Sequence, residues 1–207
     1  MRISGALKQY NVIIRNVYMQ SCQFFGMRDV LRLKDFPFFQ TIQEILSFYS
    51  CPSTCPAICC KVADIDVDEK DRKILKKASI EKAAMIKPST EYGKHHYRIN
   101  PPCPFLEHNK CSAYDQRPTI CRLFPFNICP NPRALILYPC DVGASLFDDF
   151  IEYSNSVLKQ PISEKMVYDF RQSHSSFTLE ADRNLSITMI GIEINDLIPF
   201  KKYLESK

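Results

Sequence analysis

Cysteine is the residue type in this sequence with the clearest capacity for chemistry. Of the ten cysteines among the 207 residues, nine fall between Cys51 and Cys140, and only Cys22 lies outside that stretch. Near the N-terminus the longest aliphatic run, Val12-Ile13-Ile14, is too short for an export signal, so we expect a cytoplasmic protein. Reducing surroundings favour metal binding or thiol chemistry over disulfides.

The first group of cysteines lies in the run Cys51-Pro-Ser-Thr-Cys55-Pro-Ala-Ile-Cys59-Cys60. Three thiols spaced four residues apart would line one face of an α-helix. Pro52 and Pro56 argue against that helix, because a proline inside a helix removes a hydrogen bond and clashes with the preceding turn. We therefore predict a loop that folds back on itself and directs several sulfurs toward one point.

The second group of cysteines lies in a proline-rich stretch further along the chain. Structural zinc sites take four thiolate or imidazole ligands, and most iron–sulfur clusters take four thiolates. Two groups of closely spaced thiols predict a centre that joins two chain segments, either zinc or an iron–sulfur cluster of the 4Fe-4S type. Its candidate ligands are Cys51, Cys55, Cys59, Cys60, Cys103, Cys111, Cys121, Cys129 and Cys140.

The vicinal pair Cys59-Cys60 bears on the number of centres. Neighbouring side chains on an extended backbone point to opposite sides, so both sulfurs would reach one ion only with unusual local geometry. Nine thiols suffice for two sites of four with one left over, or for one site with several spare thiols. The sequence leaves these alternatives open.

The cysteines also follow a longer pattern with neighbouring residues. Its segments are Cys59-Cys60, Cys103-Pro104-Phe105-Leu106, Cys111-Ser112-Ala113-Tyr114, Arg117-Pro118, Cys121-Arg122 and Phe124-Pro125-Phe126. In this order and spacing the sequence resembles the zinc- or iron-chelating CxxCxxCC family, also called the YkgJ type. The first group departs from the family form, since it reads C-x3-C-x3-C-C rather than C-x2-C-x2-C-C. This departure sets Cys51 and Cys55 apart from the rest of the match.

The resemblance implies metal binding and carries two further alternatives. The family includes flagellin lysine N-methylases, which use S-adenosylmethionine, so one alternative is an iron–sulfur enzyme that methylates lysines of a protein substrate. The first group is one residue longer than the C-x3-C-x2-C run of radical S-adenosylmethionine enzymes. The other alternative is a metal-handling or thiol-redox protein. The residues single out no catalytic side chain, so whether the chain is an enzyme is left open.

Three regions differ in composition, and the predicted fold class is α+β. We interpret residues 1–50 as an N-terminal helical extension, 51–140 as an irregular cysteine-rich metal-binding domain and 141–207 as a helix-and-strand cap on the same core. Eight prolines between Pro101 and Pro139 exclude long regular elements there. Short strands are expected at 96–99, 134–138 and 187–194.

Several helices follow from apolar periodicity and capping residues. One is expected within Phe38–Tyr49, and a charged one, capped by Asp66, is expected to run to about Lys87. Its inward residues would be Ile74, Leu75, Ala78 and Ala83, and its exposed lysines would be Lys73, Lys76, Lys77 and Lys82. Later helices are expected to begin at Ser145, at Ser163 and near Asp196, the last with Pro199 in its first turn.

Charge and composition argue against other function classes. A formal charge of +4 and a pI near 8.5 fall short of the basic character of nucleic-acid binders, so no nucleic-acid partner is expected. No apolar run approaches the roughly 18 residues of a membrane-spanning helix. The five glycines are scattered and form no phosphate-binding loop. The expected partner is a metal ion or cluster, with a protein substrate as the alternative.

A few other side chains are candidates to support the cysteines. His108, between Cys103 and Cys111, is the best placed histidine, whereas His95 and His96 are interpreted as surface or strand residues. Arg117 and Arg122 flank Cys121 and would either donate to cluster sulfides or brace the proline-rich loop.

Overall fold

A computed structural model describes residues 8–9, 38–89, 96–128, 134–179 and 190–207. Within these ranges, helices combine with short antiparallel strands, which confirms the predicted α+β class. Predictions that concern Cys22, His95, Cys129 and residues 187–189 lie outside the described residues.

The helices that the structure describes are short in the cysteine-rich stretch and longer after it. They are α1 (Phe39–Leu46), α2 (Ile58–Val62), α3 (Glu69–Ala78), α4 (Ile80–Ala84), α5 (Thr119–Leu123), α6 (Asp141–Tyr153), α7 (Glu164–Leu179) and α8 (Ile194–Glu205). A 3-10 turn spans Tyr114–Gln116, and a π-helical turn, Ser154–Leu158, continues α6.

The strands form one four-stranded sheet, one three-stranded sheet and one hairpin. They are β1 (Lys8–Gln9), β2 (Ile65–Asp68), β3 (Lys87–Pro88), β4 (His96–Ile99), β5 (Leu106–Glu107), β6 (Lys110–Cys111), β7 (Phe126–Ile128), β8 (Ala134–Leu137) and β9 (Ile190–Glu193). The first sheet has the order β1-β9-β8-β7, the second has the order β2-β4-β3, and β5 pairs with β6. All described pairings are antiparallel.

A large hydrophobic core joins all three predicted regions. It receives Ile42 and Ile45 from α1, Leu135 from β8 and a group of aromatic rings from the later helices. The rings of Phe147 and Phe170 lie 4.5 Å apart between centroids. Shared burial of this kind is the main stabilising force for the fold. The boundaries at 50 and 140 stay a prediction.

A second, smaller core supports the cysteine-rich stretch. It comprises Val67, Leu75, Ala83, Ile86, Ile99, Phe105 and Ala113, and Cys103 and Cys111 pack against it. Residues of the sheet β2-β4-β3 and of helix α3 therefore support these two cysteines by packing.

The charged helix begins later than the sequence predicted. Asp68, not Asp66, caps it, since the Asp68 carboxylate accepts the backbone N–H of Asp71 at 2.7 Å. Asp66 lies in β2 and forms an ion pair with Arg98 of β4, 3.1 Å away. The cross-strand ion pair with Arg98 explains why Asp66 lies in a strand rather than at the helix start.

The same helix also ends earlier and exposes different residues than expected. It stops at Ala78, and Ser79 caps a separate helix, α4, by accepting the N–H of Lys82 at 3.2 Å. Leu75 and Ala83 are buried as predicted, but Ala78 is exposed and Lys82 is half-buried. Lys82 differs because its ammonium group pairs with Glu107 and with the hydroxyl of Ser112.

Of the three described helices in the C-terminal region, one starts where the sequence predicted and two start at other residues. Ser163 accepts the N–H of Met166 at 3.3 Å, which confirms the predicted cap. Helix α6 begins at Asp141 with Cys140 as its cap, rather than at Ser145. Helix α8 begins at Ile194, directly after β9, so Pro199 lies in its second turn rather than its first. None of the helices in the described ranges combines the length and the apolar character needed to span a membrane.

Candidate metal centre

The vicinal cysteines lie on helix α2, where both sulfurs reach the same side. The Sγ atoms of Cys59 and Cys60 are 3.9 Å apart. The expectation that they point to opposite sides assumed an extended backbone, and it is wrong because residues 58–62 are helical. Adjacent side chains on a helix are separated by about 100° rather than 180°. Two tetrahedral ligands of one zinc ion, each about 2.3 Å from the metal, would be at a similar separation.

The predicted loop before α2 is present and ends in an unusual residue. No regular element covers residues 51–57. Ala57 has a φ of 54°, in the left-handed region that non-glycine residues seldom adopt. This turn starts α2 immediately after Pro56 and separates Cys55 from the vicinal pair.

Cys103 is tied directly to this helix. Its backbone N–H donates to the carbonyl oxygen of Cys60 at 2.8 Å. Cys111 follows from the hairpin β5–β6, in which it pairs with Leu106. The hairpin turn consists of His108 and Asn109, both with positive φ, as in a type I′ turn. His108 is exposed at this turn, and the structure gives it no role beside the sulfurs.

Cys121 comes to the same place on the short helix α5. Burial raises the pKa of Cys121 well above its ordinary value, and the thiols of Cys60, Cys103 and Cys111 raise that pKa further. The guanidinium of Arg117 acts in the opposite direction on the pKa. These interactions, together with the sulfur contact between Cys59 and Cys60, identify a set of neighbouring thiols, here called the inner group: Cys59, Cys60, Cys103, Cys111 and Cys121.

Backbone N–H groups are directed at the sulfurs of the inner group. Burial raises the pKa of Cys103 to about 11, and the N–H of Phe105 lowers it in part. Burial also raises the pKa of Cys111, against which the N–H of Ala113 acts. In each case the donor is the residue two positions after the cysteine. Hydrogen bonds to sulfur favour the thiolate, the form that binds metal.

Within the vicinal pair, Cys60 has the closer relation to the remaining thiols. A hydrogen bond with Cys59 raises the pKa of Cys60 most strongly, followed by burial. The thiol of Cys60 in turn raises the pKa values of Cys103, Cys111 and Cys121. Cys60 is therefore the member of the pair whose charge acts on the other three thiols.

The remaining described cysteines, Cys51, Cys55 and Cys140, form the outer group. Burial raises the pKa of Cys140 to about 12, and the thiols of Cys51 and Cys55 contribute to the increase. The Sγ of Cys55 accepts the N–H of Ala57 at 3.4 Å, and the Sγ of Cys140 accepts the N–H of Gly143 at 3.4 Å. Cys51 is exposed, whereas Cys140 is buried.

The outer group adjoins the inner group through Cys51. Although Cys51 is exposed as a residue, partial desolvation of its thiol raises the pKa; Arg117 lowers this pKa, while Cys60 raises it further. Arg117 thus lies within electrostatic reach of thiols from both groups. It is held in place because its Nε donates to the carbonyl of Tyr114 at 2.9 Å, with the guanidinium 3.6 Å from the centre of the tyrosine ring. The bracing role predicted for Arg117 has support in its contacts with Tyr114, and donation to cluster sulfides stays a prediction.

Some residues near the thiols were not identified from the sequence. Asp141 follows Cys140 and interacts with Cys55, and its carboxylate lies 3.0 Å from the Nε2 of His174. Asp141 and His174 line a cavity of about 440 Å³ together with Pro52 and Thr54. Proximity to Cys140 in sequence could have suggested Asp141, but no local signal connects His174 with the cysteines.

The predicted ligands are thus brought into two neighbouring groups, with Cys129 outside the described residues. Across the part of the chain that the structure describes, no three histidine, cysteine, aspartate or glutamate side chains already form the arrangement of a metal site. All eight described cysteines are free thiols. Which of them bind metal stays a prediction.

The fold and the thiol groups define a class of protein: an α+β chain with a cysteine-rich segment resting on a small core. Residues 50–151 match the family described as "CxxCxxCC: Putative zinc- or iron-chelating domain". The match covers just under half of the 207 residues, and it confirms the resemblance seen in the sequence. No curated protein and no solved structure shows significant similarity to the chain.

Proposed function

We propose that Cys60, Cys103, Cys111 and Cys121 hold one metal centre, zinc or an iron–sulfur cluster, which joins distant segments of the chain. The observation that carries this proposal is that the backbone N–H of Cys103 donates to the carbonyl oxygen of Cys60 at 2.8 Å. In addition, the thiols on α2, after Pro102, on β6 and on α5 are close enough to shift one another's pKa. Four thiolates complete the coordination shell of a structural zinc ion and also that of most iron–sulfur clusters.

The donor chemistry of the inner group fits such a centre. The four thiols are half-buried, and those of Cys103 and Cys111 accept hydrogen bonds from the N–H groups of Phe105 and Ala113. Arg117 and Lys82 supply positive charge nearby, which offsets the negative charge that four thiolates leave on a divalent ion. When bound, the metal would act as a cross-link. Structural zinc in small domains contributes about 10–16 kcal/mol, comparable to the roughly 5–15 kcal/mol net stability of a whole domain.

Cys59 offers a matched control for the proposed ligand set. It is adjacent to Cys60 and also half-buried, and its described sulfur contact is with Cys60. Cys60→Ser should abolish stoichiometric metal binding, whereas Cys59→Ser should retain it. The reverse result would exchange the roles of the two cysteines.

The test is anaerobic purification of the whole chain, followed by elemental analysis and a visible spectrum. Stoichiometric zinc in colourless protein would identify a zinc site, and iron with sulfide in coloured protein would identify a cluster. Cys121→Ser should lose the metal, while Cys22→Ser, a change outside the cysteine-rich stretch, should keep it. Wild-type protein without stoichiometric zinc or iron would refute the proposal.

The outer group is a second candidate set of ligands within the same domain. Cys51, Cys55 and Cys140 would serve either an extension of the first centre or a second centre, and the metal count per chain decides between these predictions. The alternatives of a methylase using S-adenosylmethionine and of a thiol-redox protein stay predictions from the family resemblance. Cytoplasmic localisation likewise stays a prediction.

A further inference from the structure

The short helix that carries Cys121 has no capping residue of its own. Helix α5 contains only five residues, Thr119–Leu123, and the residue before it, Pro118, provides no side-chain cap. A helix of this length does not form alone, because its nucleation cost exceeds the gain from its few hydrogen bonds. The position of Cys121 therefore depends on contacts that α5 makes with other elements.

Asp71, on helix α3, supplies the missing cap from 48 residues away. Its Oδ1 atom accepts the backbone N–H of Thr119 at 3.2 Å and the hydroxyl of Thr119 at 3.1 Å. A carboxylate at a helix N-terminus satisfies unpaired N–H groups and interacts favourably with the helix dipole. A capping residue elsewhere in proteins contributes about 0.5–2 kcal/mol.

This contact is buried and held firmly on both sides. Asp71 is 1% exposed and Thr119 is 3% exposed. Burying a carboxylate is costly, and the two hydrogen bonds that Thr119 donates to Oδ1 offset part of that cost. The backbone of Asp71 is itself fixed, because its N–H donates to the capping carboxylate of Asp68 at 2.7 Å.

The far end of α5 is held in a similar way. The Nε2 of Gln43, on helix α1, donates to the carbonyl oxygen of Arg122 at 2.6 Å. Helix α5 is thus anchored at its start to the small core and near its end to the large core. Cys121 lies between these two anchors.

We infer that Asp71 is a positioning residue of the metal centre, which sets the location of the Cys121 sulfur by capping α5. This inference rests on the proposed function, since it assumes that Cys121 is a ligand. Groups that hydrogen-bond directly to a metal ligand typically change metal affinity by about 10–100-fold when they are lost, and Asp71, which acts through Thr119, is expected at the low end of that range. Removing the cap should therefore accelerate metal loss from protein that is still folded.

The experiment measures the rate at which Co²⁺, as a probe ion, leaves the reconstituted whole chain for excess chelator. Asp71→Ala should release Co²⁺ about tenfold faster or more and should change the cobalt absorption bands, which report ligand geometry. Asp71→Asn should fall between this variant and wild type, because an amide oxygen still accepts both bonds. Thr119→Val, which preserves the volume of the pair, should also accelerate release.

A matched control separates positioning from general stability. Leu197 is fully buried on α8, in the large core rather than in the small core against which Cys103 and Cys111 pack. Leu197→Ala should lower the free energy of unfolding by about 2–5 kcal/mol while leaving the cobalt bands unchanged. Equal cobalt spectra and release rates in wild type, Asp71→Ala and Thr119→Val would overturn the inference but not the proposed function. Wild-type protein that binds no Co²⁺, zinc or iron would overturn both.

Discussion

The start of helix α6 leaves no room for a side chain at Gly143. A Cβ atom built there would lie 1.9 Å from the carbonyl oxygen of Tyr138 and 3.5 Å from the Cβ of Pro125. Backbone atoms do not tolerate a contact shorter than 3.0 Å, so the helix start or the Tyr138 segment would have to move by about 1 Å. Gly143→Ala tests whether this close packing stabilises the fold.

The expected loss can be worked out from two opposing terms. Alanine in place of glycine within a helix gains about 0.5–1 kcal/mol. Overpacking costs typically about 1–3 kcal/mol and more when rigid backbone must shift. The clash at Tyr138 falls at the high end of that range, so Gly143→Ala should lower the free energy of unfolding by about 2–2.5 kcal/mol net. For a chain of this size the melting temperature should fall by about 4–10 °C.

The assay is urea unfolding of the wild type and the variant, with a surface control. Ser145 is exposed on the same helix, so Ser145→Ala should change stability by no more than about 0.5 kcal/mol. The midpoint of Gly143→Ala should fall while the slope of the transition stays constant. A Gly143→Ala protein as stable as wild type would refute the packing of α6 against Tyr138. That result would also contradict the hydrogen bond from the N–H of Gly143 to the sulfur of Cys140.

Two further predictions concern the thiols and the loop that carries them. Burial raises the pKa of Cys103 to about 11 and that of Cys140 to about 12, from an ordinary value near 9. The metal-free fold therefore binds the two thiol protons more tightly than the unfolded chain does. The resulting contribution to the free energy of unfolding is complete below about pH 9 and is lost as the pH rises through 11 and 12. Urea midpoints of metal-free protein should fall across that range, and a flat profile would contradict the burial of the two thiols. At Ala57 the left-handed backbone costs about 1–2 kcal/mol. In urea unfolding Ala57→Gly should therefore be neutral or stabilising. The variant Ala57→Val, which introduces a β-branched side chain, should be clearly destabilising. Equal stability of the two Ala57 variants would show that the turn is not left-handed.

Local features of the chain were predictable where local interactions decide them. Apolar residues at helical spacing indicated α1, and Ser163 marked the start of α7, because helix periodicity and capping involve residues within one turn. The strand at 96–99 was predicted for a similar reason. Clustered cysteines and their neighbours also indicated a zinc- or iron-chelating domain, since few residue types bind these metals through thiolates.

The arrangement of the sulfurs was decided by tertiary structure. The sulfurs of Cys59 and Cys60 lie on the same side because residues 58–62 are helical. That local structure depends both on the prolines before the helix and on the packing of Ile58. Asp66 fitted a cap in the sequence, but pairing with Arg98 places it in a strand. Asp71 appeared as one acid among many on a charged helix, and only the fold brings it to Thr119. Such contacts join residues 30 to 50 positions apart, and no local pattern encodes a distance of that kind.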